Sequence, residues 1–104
     1  MVPNSNRVAR RGEIPPGTTR RVVVDGNEIL LCNVAGELYA IEDACTHDGG
    51  ELDQGELEGA RIMCPRHGAY FDVRTGEALT LPAVVPVQTY RVRVEGDDVF
   101  VDLP

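Results

Sequence analysis

The chain has 104 residues, 42% of them hydrophobic and 26% charged, a composition that fits one globular domain, residues 1–104, and leaves little room for a second. Ten Arg and no Lys stand against 17 Asp and Glu, so the formal net charge is -7 and a nucleic-acid partner is not expected. No run approaches the roughly 20 apolar residues of a membrane span. Residues 1–6 lack the basic, then apolar, layout of a signal peptide, so they read as a flexible tail and the expected address is cytoplasmic.

Taken in order, the chain shows short β-branched runs separated by turn pairs every eight to twelve residues, the pattern of an all-β protein. Residues 18–24 and 28–34 flank Asp25, Gly26 and Asn27, where Asp-Gly supplies the positive φ angles of a tight hairpin. Cys32 falls inside the second of these runs and is expected to pack as a small buried hydrophobe. Ala35 and Gly36 mark another turn, leading into a strand at 38–41. Residues 42–59 are rich in Gly and acid and show no strand pattern; a structureless stretch of that length is expected to be functional. Residues 90–94 alternate strictly, so Tyr90, Val92 and Val94 are expected to face a core. Gly96, Asp97 and Asp98 then turn the chain into residues 99–103.

Charge is unevenly distributed along this order. Residues 1–24 hold five Arg (Arg7, Arg10, Arg11, Arg20, Arg21) and one Glu, whereas residues 25–58 hold ten acids and no base. The arginines read as a solubilising face rather than as a docking patch. The acids read either as a solvated face or as a surface that steers a basic partner.

The residues able to hold a metal are grouped. Cys45 and His47 are one residue apart, Cys64 and His67 are two apart, and sixteen residues separate the pairs. Four of the five Cys and His residues thus fall into two glycine-containing segments, where loops can bend thiolate and imidazole onto one centre. Three widely spaced cysteines do not make a disulfide framework. These ligand types suit an iron–sulfur cluster; the spacing also permits a structural Cys2His2 zinc site, which uses the same atoms.

At C-T-H (45–47) and C-P-R-H-G (64–68) the sequence resembles the Rieske-type ferredoxins. The likeness extends to residues 36–43 before the first pair, to 71–79 after the second, and to Pro82 and Ala83. The resemblance implies one [2Fe–2S] cluster per chain, with Cys45 and Cys64 on one iron and His47 and His67 on the other. It also implies a small antiparallel β-sandwich with a cluster-binding subdomain of two loops, about residues 43–82, and a third loop at Pro82 covering the cluster. Arg66, between two ligands and beside the expected electron exit, reads either as a partner for a carboxylate on another protein or as a solvated side chain.

High-potential respiratory members of the family carry two further cysteines where this chain has Gly50 and Arg66, and Ser and Tyr hydroxyl donors where it has Ala69 and Phe71. With those donors missing and ten acids nearby in sequence, the expected potential lies near the low end of the Rieske span of about −150 to +300 mV. The function implied is that of a soluble, monomeric one-electron carrier with no catalytic site of its own. It would shuttle electrons from an NAD(P)H-dependent flavoprotein reductase to a terminal dioxygenase through transient contacts. Both histidines are committed to the cluster, so none remains for a mononuclear iron site. Two alternatives stand beside it: a small subunit of a larger enzyme such as nitrite reductase, and the structural zinc module.

Overall fold

The computed structural model describes residues 7–46, 50–65, 68–81 and 83–103. Nine strands run through them: β1 (Ala9–Arg10), β2 (Thr19–Val24), β3 (Asn27–Val34), β4 (Glu37–Glu42), β5 (Leu57–Glu58), β6 (Arg61–Met63), β7 (Tyr70–Asp72), β8 (Thr89–Glu95) and β9 (Asp98–Asp102). Six form one antiparallel sheet in the order β1-β9-β8-β4-β3-β2, and β5-β6-β7 form a second. Regular helix among the described residues is confined to single 3-10 turns at Arg11–Glu13 and Leu52–Gln54.

The hairpins are set locally. Asp25 (φ 49°) and Gly26 (φ 80°) both take positive φ, the mirror-image turn whose twist matches that of the flanking strands, and the pairing runs from Val24↔Asn27 to Thr19↔Cys32. The loop is one residue tighter than the sequence predicts, because Asn27 joins β3. Ala35 (φ 51°) and Gly36 (φ 98°) repeat the device between β3 and β4. The buried Asn33 pins that turn: its carbonyl oxygen accepts from the Gly36 N–H at 2.7 Å and its amide donates to the Ile14 carbonyl at 2.7 Å. A buried amide satisfied on both sides avoids a desolvation penalty of about 1–3 kcal/mol.

β3 separates two cores. Residues 29 to 33 are all buried, and alternation sends Ile29 and Leu31 to one face, Leu30 and Cys32 to the other. On the first face Ile29, Leu31 and Ala40 pack with Ala9, Ile14, Val99 and Val101. On the second, Leu30, Cys32 and Ile41 pack with Leu52, Ile62, Phe71, Val73, Ala83 and Val87, and with Cys45 and Cys64. Each fully buried Leu, Ile or Phe contributes about 1.5–3 kcal/mol, so both faces are needed to hold so short a chain.

Two expectations are corrected. Val94 is 39% exposed, although Tyr90 and Val92 pack against the first core as expected. β8 pairs with β4 only at Ala40↔Tyr90 and Ile41↔Thr89; continued, that register carries Val94 past the start of β4, so it lacks a neighbour on that edge. Residues 42–59 are not without structure: β4 continues to Glu42, Leu52–Gln54 make a 3-10 turn with Leu52 fully buried, and Leu57–Glu58 form β5. Strands of two or three residues are too short for alternation to show in sequence, and their pairing partners make them.

Candidate metal centre

Cys45 follows β4 and Cys64 follows β6, yet both side chains reach the same core, 2% and 0% exposed. Each backbone is closed on itself. The Cys45 N–H donates to the Gly50 carbonyl at 2.7 Å. In the β6–β7 connection the Cys64 N–H donates to the Ala69 carbonyl at 2.6 Å, and the Gly68 N–H donates back to the Cys64 carbonyl at 2.9 Å. Gly68 sits at φ 74°, a region a side chain disfavours, and so permits the turn. His47, Asp48, Arg66, His67 and Pro82 lie outside the described residues, so the structure addresses only the thiol half of the predicted ligand set.

A third segment joins the two loops, which sequence spacing alone did not specify. The Thr46 hydroxyl donates to the Val85 carbonyl at 2.6 Å, and Ala83 is buried in the core that holds both cysteines. Behind them the packing is close: a Cβ on Gly55 would collide with the Met63 carbonyl, so glycine alone lets the 3-10 turn seat against β6. Ala69 and Phe71 are fully buried here and carry no hydroxyl, and Gly50 carries no thiol.

Cys32 is a useful contrast. It is fully buried on the same face of β3, its sulfur lies 3.9 Å from the Leu30 carbonyl, and burial, with the nearby Asp43 charge, pushes its thiol up to about 12. It packs as a hydrophobe, as its strand position indicated. Cys45 and Cys64 instead sit on turns, where the backbone can direct sulfur toward a bound group. Two buried thiols from separate glycine-containing loops suit a thiolate-bound iron of an iron–sulfur centre.

Electrostatics near the first loop are organised by Arg21. Its guanidinium lies 3.0 Å from Glu28, 3.2 Å from Asp43 and 3.8 Å from Glu51. The three carboxylates approach closely enough to hold a cation, and Arg21 supplies that cation. Arg21 thus belongs to an ion-pair network rather than to a solubilising face; Arg7 pairs with Asp98 at 3.2 Å. The Asp43 side chain is fully buried and accepts the Asp53 N–H at 2.8 Å. Burial first, and then the neighbouring Asp53 carboxyl, raise the Asp43 pKa to about 6 against the pull of Arg21.

Comparison with known proteins supplies the remaining evidence. The family model of the Rieske [2Fe-2S] domain matches residues 4–91. The ferredoxin component of biphenyl 2,3-dioxygenase from Rhodococcus jostii (strain RHA1) is 44% identical over 97 residues, 93% of this chain and 91% of that protein. Among solved structures, the ferredoxin of carbazole 1,9a-dioxygenase from Nocardioides aromaticivorans IC177 superposes with a TM-score of 0.89 at 38% identity, covering 92% of this chain and 94% of that one. A chain from a complex of reduced oxygenase and oxidized ferredoxin in carbazole 1,9a-dioxygenase superposes with a TM-score of 0.88 at 37% identity, covering 92% and 90%.

Proposed function

Because this chain belongs to the family of Rieske [2Fe-2S] domains, we propose that it is a one-electron carrier of a multicomponent dioxygenase system, with Cys45 and Cys64 holding one iron and His47 and His67 the other. The observation that carries the reading is the meeting of Cys45 and Cys64, from two separate loops, in one buried core. The relatives, themselves ferredoxin components, favour it over a nitrite-reductase small subunit or a zinc module.

When bound, the cluster supplies reversible one-electron chemistry, its net charge changing from zero to minus one. The chain's own residues supply two thiolates in a water-poor setting and backbone turns that fix where each sulfur points. Buried Ala69 and Phe71 offer no hydroxyl to stabilise the reduced state, and for that reason the potential belongs near the low end of the Rieske span, about −150 mV. The chain would act as a single domain with a cluster-binding part at about residues 43–82. As a monomer in the cytoplasm, it would accept an electron from a flavoprotein reductase and deliver it to a terminal oxygenase. Among the described residues no helix is long and apolar enough to cross a membrane.

The test is EPR and visible absorption of the purified protein, oxidised and dithionite-reduced, with iron and sulfide analysis. Two irons, two sulfides and a Rieske-type signal in the reduced state alone are the expected outcome, and His67→Ala should abolish that signal. A colourless protein with one zinc, or an unchanged signal in His67→Ala, overturns the reading.

A further inference from the structure

Arg21 lies on β2, the open edge of the larger sheet, and the strand pairing fixes which way it points. It stands opposite Leu30, which packs in the core that holds Cys45 and Cys64, whereas Arg20 stands opposite Leu31 of the other core. Directly opposed residues share a face, so alternation turns Arg21 toward the cysteine side of the sheet and Arg20 away from it. The β2–β3 pairing is continuous from Thr19 to Val24, which gives Arg21 a fixed base.

From that base the guanidinium reaches the chain on both sides of Cys45. Its Nε lies 3.2 Å from Asp43, two residues before the cysteine. The same nitrogen lies 3.8 Å from Glu51, which directly follows Gly50, the residue whose carbonyl accepts the Cys45 N–H. Its Nη2 lies 3.0 Å from Glu28, and the Glu28 carbonyl accepts the Asp43 N–H at 2.9 Å. The Asp43 carboxylate is shared: one oxygen faces Arg21 and the other accepts the Asp53 N–H at 2.8 Å. That side chain is fully buried, and among the described residues Arg21 is its one paired cation. A buried carboxylate that loses its partner is costly, and the backbone beside Cys45 must move to relieve it.

We propose that Arg21 is the positioning residue of the first cysteine loop: by bridging Asp43 and Glu51 it holds the Cys45–Gly50 turn closed and so fixes the direction in which Cys45 presents its sulfur. The inference rests on the reading of Cys45 as a cluster ligand. It requires arginine rather than any cation, because the planar guanidinium offers separate N–H groups to separate carboxylates and the single ammonium of lysine does not. The surroundings of a ligand sulfur tune an iron–sulfur centre, so release of this clamp reaches the spectrum of the cluster as well as its retention.

The test uses the cluster-loaded protein, reduced with dithionite, and compares the EPR spectrum, the midpoint potential and the rate of iron loss to EDTA. Arg21→Gln should shift or broaden the Rieske signal and speed iron loss about tenfold, and Glu51→Gln, which removes one exposed arm, should act in the same direction, about threefold. The double variant should be no worse than Arg21→Gln alone. Arg21→Lys keeps the charge and should still fall short of the wild type, whereas Arg20→Gln, on the opposite face of the strand, should match it in every readout. A residue acting only through its charge gives a different pattern: Arg21→Gln lowers the midpoint, Glu51→Gln raises it, the double variant restores it, and the spectra do not change. That pattern overturns the proposal, as does a wild-type spectrum in Arg21→Gln, full rescue by lysine or an equal change in Arg20→Gln. Should Arg21→Gln not fold, Glu51→Gln decides, and a wild-type spectrum with wild-type iron loss in that variant overturns the proposal. Absence of the reduced Rieske signal from the wild type instead defeats the cluster reading itself.

Discussion

The cores on the two faces of β3 and β4 share their central strands and are completed in different ways. On one face, Ala9, Ile14, Val99 and Val101 come from strands and a single turn of the same sheet, and the core is closed by side chains alone. On the other, strands of two or three residues and three loops bring in Cys45, Cys64 and Ala83, and the core includes thiols whose proposed role is to hold a cluster. The lesson is a division of labour: long paired strands make one side self-sufficient, and the side given over to chemistry depends on loop closure and on what the loops bind.

The sharpest way to break this comparison is Cys64→Ser. It should abolish bound iron and raise amide exchange at Ile62 and Phe71 at least about tenfold, while Val99 and Val101 stay protected. Equal loss of protection in both sheets would show the two cores to be one cooperative unit. Leu31→Ala attacks the other face. It should lower global stability by about 2–5 kcal/mol, read by denaturant unfolding, and leave the visible spectrum of the folded protein unchanged.

A smaller effect concerns pH. The Asp43 pKa is raised in the folded state to about 6 from an ordinary 3.8, so the folded protein binds the extra proton. The resulting stability is fully present below pH 3.8 and is lost as pH rises through about 6. Relative to Asp43→Asn, which keeps an acceptor for the Asp53 N–H, the wild type should lose on the order of 1–3 kcal/mol across that window; a flat difference from pH 4 to pH 7 would contradict the assignment. The smallest effect is expected at Val94→Thr. At this half-open position beyond the start of β4, a thermal melt should shift by less than about 0.5 kcal/mol in stability.

Sequence reasoning succeeded where the cause was local. Asp25-Gly26 and Ala35-Gly36 take the positive φ angles their residue types allow, and the pairing they impose builds β2, β3 and β4. Cys32 was readable as core because its neighbours are strand-forming hydrophobes, and it is fully buried on β3. It failed where neighbours far along the chain decide. β1 exists because β9 pairs with it, Val94 is exposed because β4 begins too late to flank it, and Arg21 is an ion-pair hub because Asp43 and Glu51 fold onto it.

By itself, then, the sequence determined the strand class and the hairpin turns and grouped the Cys and His residues proposed as ligands, all of which depend on residue type and spacings of a few positions. Only the tertiary structure decided that Cys45 and Cys64 share one buried core, that the Thr46 hydroxyl fastens residues 83–85 beside them, and that Leu81 and Val84 face outward. Those outcomes rest on contacts between segments tens of residues apart, and no local pattern encodes which face of a sheet a distant loop will cover.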